Sequence, residues 1–323
     1  MECLLVRGVK VNNKKIIFID SEGTLRENNR KILSDTKNII GRLRDKGVVI
    51  VVTSGLPRFL VRKVSKESSS SRFIISSNGA DIYDRVNNIV IENSFFAKEI
   101  IEGIYKLSRE NFNVILGLGD QEYSNSCNQY NEDATTISSI NGFSDSILQC
   151  HISQKEMNLK DNIKHEIDEF KKTPDFPLMY QLVGSPIYHK LMIGSPLSER
   201  ELELVIRAKR FLELKELRKL LLEKYGYDVN LGNQSLDFIK FQKYGELPWF
   251  SLNKNGVNKG SSILTLANKL HVKQKNTIAI GNDYNDLSMY ETAGDYIDLG
   301  PNSNLPYHER RIGKVLEKIY RSL

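Results

Sequence analysis

Two carboxylates follow a short apolar run near the beginning of the sequence. Residues 16–19 are isoleucine and phenylalanine only, and they lead directly into Asp20, with Glu22 two residues further on. Such a run is typical of a strand buried inside a parallel sheet, and ligands bind at the carboxyl ends of such strands. Two carboxylates there can share a displacement reaction, because one can attack while the other handles protons. Gly23 and Thr24 add a tight turn and a hydroxyl group.

A hydroxyl group and a glycine end the next apolar run. Residues 48–52 are entirely apolar and lead into Thr53, Ser54 and Gly55. Backbone N–H groups and a hydroxyl at such a turn, before a helix, form an anion site. A plain strand-to-helix cap explains these three residues equally well when they are taken alone. Because parallel strands end at the same edge of a sheet, we expect Ser54 to lie close to Asp20.

A lysine precedes a helical segment late in the chain. Lys259 follows a polar stretch at 255–258 and stands before a helix predicted for 261–270. A cation near a helix N-terminus strengthens an anion site that the helix dipole already favours. For any single lysine, the alternative is a solvated surface side chain.

Oxygen-bearing side chains follow the apolar run at 277–281. Carboxylate and amide oxygens with room for water suit Mg²⁺, which takes few protein ligands. The alternative is an Asx-rich turn that caps a helix. The oxygen-bearing residues of this loop are Asn282, Asp283, Asn285 and Asp286.

The elements that carry these residues predict an α/β fold. Apolar strands and amphipathic helices alternate in the first 80 residues and again after residue 253, which is typical of a doubly wound parallel sheet. From residue 82 to about residue 250 the sequence is more polar and mixes hairpin and helix signals. Within that stretch, 188–193 has the pattern of a strand and 198–225 that of a long amphipathic helix.

Length and composition limit the remaining possibilities. The chain has 323 residues, which favours two domains, and its net charge of +6 favours anionic partners without indicating a nucleic-acid surface. The three cysteines and five histidines lack the spacing of a disulfide framework or a zinc site. No apolar run reaches membrane length and the N-terminus is unlike a signal peptide, so the cytoplasm is the expected location.

Taken together and in this order, these groups resemble the motifs of the haloacid dehalogenase-like (HAD) phosphohydrolases. The Asp-Ser-Glu-Gly-Thr run at 20–24 is similar to the first motif, DxDGT, and Ser54 with Gly55 is similar to the second. Lys259 takes the position of the third motif, and the Gly-Asn-Asp-Tyr-Asn-Asp run at 281–286 is similar to the fourth, GDxxND.

An Asn-Gly-Ala run that begins at Asn78 resembles the signature before the cap in the Cof-type subgroup, or subfamily IIB. The resemblance implies a Rossmann-like, doubly wound core formed by residues 1–81 and 253–323. It implies that residues 82–252 form an inserted α/β cap of the C2 type, which closes over the site and selects the substrate.

The resemblance also implies a mechanism. Asp20 attacks phosphorus and forms an aspartyl-phosphate, while Glu22 protonates the leaving alkoxide and later activates water. Mg²⁺ is the implied cofactor. The implied phosphate- or substrate-binding residues are Ser54, Gly55, Asn78, Lys259 and Asn285, and the implied metal-binding residues are Asp20, Glu22, Asn282, Asp283 and Asp286.

Two positions depart from the family pattern. Glu22 stands where most relatives have aspartate, and its extra methylene matters because a displacement on the order of an ångström can cost about a hundredfold in rate. Asn282 stands where the fourth motif has its first aspartate, and a neutral amide is a weaker ligand for Mg²⁺. The sequence leaves open whether Asp283 or Asp286 compensates.

The expected function is hydrolysis of a small phosphomonoester, for example a sugar phosphate, so the expected partner is a small phosphorylated metabolite. Two alternatives share the same core: a phosphomutase, and a non-catalytic protein that binds a phosphate ligand, which the two departures favour. A nucleic-acid end phosphatase rests on the positive net charge alone. We expect no dedicated nucleic-acid or membrane partner, and the sequence does not indicate an oligomeric state.

Overall fold

The computed structural model describes residues 15–26, 31–70, 72–125, 134–142, 144–154, 163–225, 234–235, 249–301 and 303–323. The strands, numbered in chain order, are β1 (Ile16–Asp20), β2 (Val49–Thr53), β3 (Phe73–Ser76), β4 (Asp81–Asp84), β5 (Ile89–Asn93), β6 (Phe112–Gly117), β7 (Glu122–Ser124), β8 (Thr135–Thr136), β9 (Gln149–Gln154), β10 (Gln234–Ser235), β11 (Trp249–Asn253), β12 (Thr277–Gly281) and β13 (Asp295–Asp298). The helices are α1 (Ser34–Asp45), α2 (Arg58–Glu67), α3 (Lys98–Ser108), α4 (Ile163–Phe170), α5 (Met179–Val183), α6 (Ser185–Ile193), α7 (Glu199–Tyr225), α8 (Lys259–Lys269), α9 (Leu287–Thr292) and α10 (Ile312–Ser322).

Seven strands form a first sheet in the order β13-β12-β1-β2-β3-β4-β5. The strands from β13 to β3 run parallel, and β4 and β5 continue the sheet in antiparallel orientation. Parallel neighbours need crossover connections, and helices pack on both faces of this sheet. Ile17 and Ile19 lie in one core cluster with residues of α1, α2 and α10, whereas Ile16 and Phe18 lie in another with residues of α8. The α/β fold with a doubly wound parallel sheet, expected from the sequence, is confirmed.

Strand β1 shows why the apolar run had to become a central strand. All five of its residues are buried, because helices cover both faces of the sheet. Burying one such aliphatic side chain contributes roughly 1.5–3 kcal/mol. An exposed or one-sided position would forfeit much of this stabilisation, so the run is driven to the centre and Asp20 is carried to its carboxyl end.

The inserted segment begins later than residue 82, the boundary expected from the sequence. Asn78 and Gly79 both have positive φ angles, 53° and 102°, and they reverse the chain after β3. Strand β4 therefore returns antiparallel beside β3, and β5 pairs with β4, so residues 82–93 belong to the first sheet. Strand β5 lies at the edge of this sheet and is largely exposed, although it begins with the apolar residues Ile89, Val90 and Ile91.

Six strands form a second sheet in the order β10-β11-β9-β6-β7-β8. It is antiparallel from β10 through β7, and only β8 joins β7 in parallel orientation. One face packs against α3 and α7 through a core that includes Ile104, Val114, Ile152 and Leu221. Helices α4 to α7 form a further apolar cluster of their own.

Residues 188–193 lie in helix α6, so the strand predicted there is wrong. Pro186 stands in the first turn of this helix, and Gly194 ends it in the left-handed conformation with φ 70°. Proline at the start and glycine just after the end are strong helix boundaries, and they outweigh the short apolar pattern between them. The long helix predicted for 198–225 is confirmed by α7. Within the described ranges, no helix has the length and apolar character needed to cross a membrane.

Candidate active site

Asp20 and Ser54 meet at the carboxyl edge of the first sheet. Strand β1 lies between β12 and β2, and Asp20 is in register with Thr53, the residue before Ser54. The Ser21 hydroxyl donates a hydrogen bond of 2.7 Å to the Ser54 hydroxyl oxygen, which joins the two loops directly. The proximity expected from the parallel topology is therefore confirmed. Ser21 was not predicted as a site residue, although it lies between Asp20 and Glu22 in the sequence.

The Ser54 hydroxyl is arranged as a donor toward a ligand. Its oxygen accepts from Ser21 and also from the backbone N–H of Leu56 at 3.1 Å. Two accepted hydrogen bonds leave the hydroxyl hydrogen available for an anion. The Ser54 carbonyl accepts the N–H of Asn78 at 3.1 Å, and a Cβ on Gly55 would lie 2.8 Å from Asn78 Oδ1. Gly55 thus allows Asn78 to pack directly against this turn.

Lys259 lies between two carboxylates that are far away in the sequence. Its Nζ atom is 2.7 Å from Asp20 Oδ1 and 2.7 Å from Asp286 Oδ1. The three residues are almost completely buried, with exposed fractions of 5% for Asp20, 1% for Lys259 and 0% for Asp286. The alternative of a solvated lysine is therefore wrong, and we call these three residues the catalytic triplet, after the role that we propose for them.

Helix α8 holds Lys259 in this position. Asn258 caps the helix through a reciprocal pair of hydrogen bonds with Ser261. Gly260 follows Lys259, and a Cβ on it would lie 2.1 Å from the carbonyl oxygen of Ser288 in helix α9. Only glycine allows the two helices to approach this closely, and that approach brings Lys259 to the loop that carries Asp286.

Burial and charge act against each other in the catalytic triplet. Burial, and then the charge of Asp286, raise the pKa of Asp20, while Lys259 opposes this increase. Burial alone would lower the pKa of Lys259, but the two adjacent carboxylates outweigh it and raise that pKa. Lys259 therefore stays protonated, and it can hold a second anion if Asp20 becomes covalently modified.

Asp286 is fixed by backbone groups as well as by Lys259. Its Oδ2 atom accepts the N–H of Asn282 at 2.9 Å and the N–H of Asp283 at 3.1 Å. A Cβ on Gly281 would lie 2.3 Å from the same oxygen, so a glycine is required there. Asp286 thus shapes the loop after β12 and orients Lys259.

The other residues of that loop are placed differently from one another. The Asn282 Oδ1 atom accepts the Thr24 hydroxyl at 2.7 Å, which brings this amide to the loop after β1. Asp283 is exposed, and its side chain accepts the N–H of Tyr284 at 2.7 Å, as in a cap of the short turn that follows. Asn285 lies in that turn and is partly buried. The turn interpretation thus holds for Asp283, while Asn282 and Asp286 contact the other loops of the site.

Glu22 lies at the edge of the site and is half-buried. Its Oε1 atom is buried and has no hydrogen-bond partner among the residues that the structure describes. Burial raises the pKa of Glu22, although the charge of Arg26 opposes the shift. Arg26 holds the loop that follows β1. Its backbone N–H donates to the Ser21 carbonyl at 2.8 Å, and its guanidinium forms an ion pair with Glu67 at 2.8 Å. A carboxyl with a raised pKa is suited to donate a proton near neutral pH.

The donor atoms around Asp20 are compatible with a hard divalent cation. The Asp20 carboxylate, the backbone carbonyl of Glu22 and the Asn282 amide offer oxygen atoms that would hold Mg²⁺, which uses one or two carboxylates together with several waters. The described residues contain no group of three or more His, Cys, Asp or Glu side chains arranged to hold a metal. The fit to Mg²⁺ therefore rests on the chemistry of these oxygen donors.

A doubly wound α/β fold with a buried Asp–Lys–Asp arrangement on its carboxyl edge is the class of protein that this structure defines. Comparison with known proteins narrows that class. The model of the haloacid dehalogenase-like hydrolase family matches residues 17–182 and 211–300. The chain therefore belongs to the haloacid dehalogenase-like hydrolase family, as its four motifs suggested.

Individual relatives agree with this assignment. A phosphatase of Bacillus subtilis is 20% identical over 286 residues, which cover 88% of this chain and 89% of that protein. A candidate phosphatase of Buchnera aphidicola is 25% identical over 285 residues, covering 86% of this chain and 84% of the relative. The crystal structure of a HAD subclass IIB sugar phosphatase has the same fold, with a TM-score of 0.62 and 14% identity over 94% of this chain and 98% of that one. The family and the enzyme class expected from the sequence are confirmed.

Proposed function

We propose that the protein is a Mg²⁺-dependent phosphatase that hydrolyses a small phosphomonoester through an aspartyl-phosphate on Asp20. The observation that carries this proposal is the position of Lys259, 2.7 Å from both Asp20 and Asp286. A buried cation beside a nucleophilic carboxylate offsets the charge of a phosphoryl group as that group approaches. A purely structural ion pair has no need of the Ser54 hydroxyl and the Glu22 carboxyl at the same sheet edge.

In the first step, an Asp20 carboxylate oxygen attacks phosphorus and the bond to the ester oxygen breaks. Glu22, whose protonated form is favoured because burial raises its pKa, gives its proton to the departing alkoxide, which leaves as an alcohol. Lys259 and the Ser54 hydroxyl stabilise the phosphoryl oxygens. These residues act together in the first half-reaction.

In the second step, the Glu22 carboxylate takes a proton from water, and the resulting hydroxide attacks phosphorus. The bond between phosphorus and Asp20 breaks, inorganic phosphate leaves, and both carboxyl groups return to their starting states. Asp20, the carbonyl of Glu22 and Asn282 would hold Mg²⁺, which would supply Lewis-acid stabilisation of the phosphoryl charge.

We also propose that the second sheet and its helices form the cap of this enzyme and select the substrate. The polar contacts between Asn253 and Ser77, and between Asn78 and Ser251, support this arrangement, because they join the second sheet to the carboxyl edge of the first. A sugar phosphate or a similar small metabolite is the proposed substrate and partner. The cytoplasm is the proposed location.

The test is release of inorganic phosphate from hexose phosphates, nucleotides and p-nitrophenyl phosphate, with Mg²⁺ and with EDTA. Wild type is compared with Asp20→Asn, and with Asp295→Asn as a control that alters an exposed carboxylate in β13. We expect turnover that requires both Mg²⁺ and Asp20 and that persists in the control. Full activity in Asp20→Asn refutes the mechanism.

The environment of Asn282 favours one alternative, a protein that binds a phosphate ligand without catalysis. Asn282 is neutral, and its Oδ1 atom already accepts the Thr24 hydroxyl, which suits a protein that binds a phosphate ligand without turning it over. Thermal stabilisation by inorganic phosphate without turnover of any ester supports this alternative. Isomerised product without net phosphate release indicates a phosphomutase instead.

A further inference from the structure

Arg58 binds two aspartates that come from different sheets. It is the first residue of α2, directly after the turn that contains Ser54, and its exposed fraction is only 7%. Its Nε and Nη2 atoms bind the two oxygens of Asp81 in β4 at 2.8 and 2.5 Å. Its remaining nitrogen, Nη1, is 3.1 Å from Asp120 Oδ2, in the turn between β6 and β7 of the second sheet.

The turn that carries Asp120 is shaped to reach Arg58. Gly119 has a φ angle of 92°, and a Cβ there would lie 3.1 Å from the guanidinium carbon of Arg58. A larger side chain would meet both backbone strain and the guanidinium, so glycine permits the approach. Arg62, one turn further along α2, adds a second positive charge 3.8 Å from Asp120.

A different contact joins the two sheets beside the segment in which the chain leaves the second sheet. Asn253, the last residue of β11, donates to the carbonyl of Ser77 at 2.8 Å and to the carbonyl of Leu148 at 3.0 Å. Asn253 is buried, and its two partners adjoin different sheets, because Ser77 directly follows β3 and Leu148 directly precedes β9. This contact joins the two sheets at a second place, away from Arg58.

The two ion pairs of Arg58 differ in how far their carboxylates are exposed to solvent. Asp81 is completely buried, whereas the Asp120 side chain is 46% exposed. If Asp120 moves away, Arg58 keeps its fork on Asp81, so no unpaired charge is left inside the protein. Asp120 meanwhile gains full hydration. The contact can therefore break and re-form at low cost, unlike the catalytic triplet.

We propose that the Arg58–Asp120 ion pair is a latch that holds the cap closed over the catalytic edge, with Arg58 as the positioning residue on the core side. The proposal rests on the proposed function for its effect on turnover. The latch lies close to the site along the chain, because the Ser54 hydroxyl accepts the N–H of Leu56, two residues before Arg58. When the latch is closed, the turn that presents Ser54 and the cap loop are held by the same guanidinium.

The test compares wild type with Asp120→Asn, which removes the charge, and Asp120→Glu, which restores it. Asp145→Asn is the matched control, since Asp145 is an exposed carboxylate of the proposed cap that accepts its neighbour Ser146. Amide hydrogen exchange of the segment 116–124 is measured by mass spectrometry at low and high NaCl. KM and kcat are measured on the best ester from the phosphate-release panel.

We expect exchange in that segment to rise about threefold to fivefold in Asp120→Asn, as for the loss of one partly exposed ion pair. Wild-type exchange rises with NaCl and the variant's does not, because salt screens the pair only where the pair exists. KM rises by a similar factor with kcat unchanged, since a smaller closed population weakens apparent binding. Asp120→Glu restores both quantities toward wild type.

Exchange in Asp120→Asn that matches wild type and Asp145→Asn at both salt concentrations overturns the latch. So does a raised exchange that leaves KM unchanged on an ester that the enzyme turns over. If no ester is turned over at all, the proposed phosphatase function fails, and the exchange measurement still decides whether the ion pair holds the two sheets together.

Discussion

Two clusters in this protein each place one cation between two aspartates, but they differ in exposure to solvent. In the catalytic triplet, Lys259 lies between Asp20 and Asp286, and all three residues are buried. In the latch, Arg58 lies between Asp81 and Asp120, and the Asp120 side chain is nearly half exposed. A cation between two aspartates is therefore not a single kind of device. Where both carboxylates are buried the geometry is permanent, and where one is solvated the contact can open.

The choice of cation follows the same division. Lysine has a compact ammonium group that two single oxygens can share, and it leaves room for a further anion. Arginine has a planar fork that occupies both oxygens of Asp81 and still has one nitrogen for Asp120. The buried lysine thus suits a site that receives a phosphoryl group, and the arginine suits a junction between two sheets.

The largest expected effect comes from removing the cation of the catalytic triplet. In Lys259→Met the two buried carboxylates face each other without compensation, and the loss of one partner of a buried ion pair costs about 3–5 kcal/mol. The loss of a donor to the phosphoryl group lowers kcat by about a hundredfold to a thousandfold. Urea unfolding and phosphate release measure the two effects, with Lys254→Met as the control because Lys254 is exposed.

The stability of Lys259→Met should depend on pH in a defined direction. Burial and Asp286 already raise the pKa of Asp20, and removing Lys259 raises it further. A folded carboxyl with a raised pKa binds more protons than the unfolded chain, so the variant loses stability as pH rises. We expect its deficit relative to wild type to be smaller at pH 5 than at pH 8. An equal deficit at both pH values contradicts the picture of two facing charges.

A smaller effect is expected at Glu22, the carboxyl two residues after Asp20, which is not part of the triplet. Glu22→Gln keeps the shape of the side chain and removes its proton transfer, which contributes about a hundredfold or more. In wild type, turnover of an alkyl phosphate falls as pH rises through the raised pKa of Glu22, because the acid form is lost. The variant loses this limb of the pH profile.

The leaving group provides the control for that variant. p-Nitrophenolate leaves without needing a proton, so Glu22→Gln should slow release from p-nitrophenyl phosphate less than release from an alkyl phosphate. Equal losses on both esters imply that Glu22 acts only on the water of the second step, or only as a structural residue.

The smallest effect is expected when the guanidinium of Arg58 is replaced by an ammonium group. Arg58→Lys keeps the charge but cannot bind Asp81 with two nitrogens and Asp120 with a third, and the lost hydrogen bond to a charged group costs about 1.5–3 kcal/mol. Urea unfolding measures this change, and kcat is expected to stay within about threefold because the catalytic triplet is intact. A loss of kcat as large as that of Lys259→Met removes the distinction between the two clusters.

The catalytic edge could be predicted well from local patterns. The buried strand β1, the turn after β2, the lysine at the start of α8 and the loop after β12 each follow from apolar runs and turn residues next to them. Parallel topology alone then places their ends at one edge, which is why Asp20 and Ser54 were expected together. The sequence offered a capping turn as an alternative for the last loop but left open which residue forms it, because several oxygen-bearing residues in one loop look alike until the turn that Asp283 caps is formed.

The junction between the sheets was not predicted. Arg58 and Asp120 are ordinary charged residues in sequence, and nothing near either one indicates its partner 62 positions away. The helix at Ser185–Ile193 was misassigned for the opposite reason, because its boundary residues were present but the run Tyr188–Ile193, with Tyr188, Leu191, Met192 and Ile193 among its six residues, favoured a strand.

What the sequence determined by itself is the set of groups that can do chemistry and the sheet edge on which they stand, because burial of apolar runs and short-range turn chemistry act between neighbours along the chain. Only the tertiary structure decided which charges are buried and which are solvated. The roles that we propose for Lys259 and Arg58 differ because the elements packed around them exclude water from one cluster and admit it to the other. That difference depends on residues as much as 239 positions apart, so no local pattern contains it.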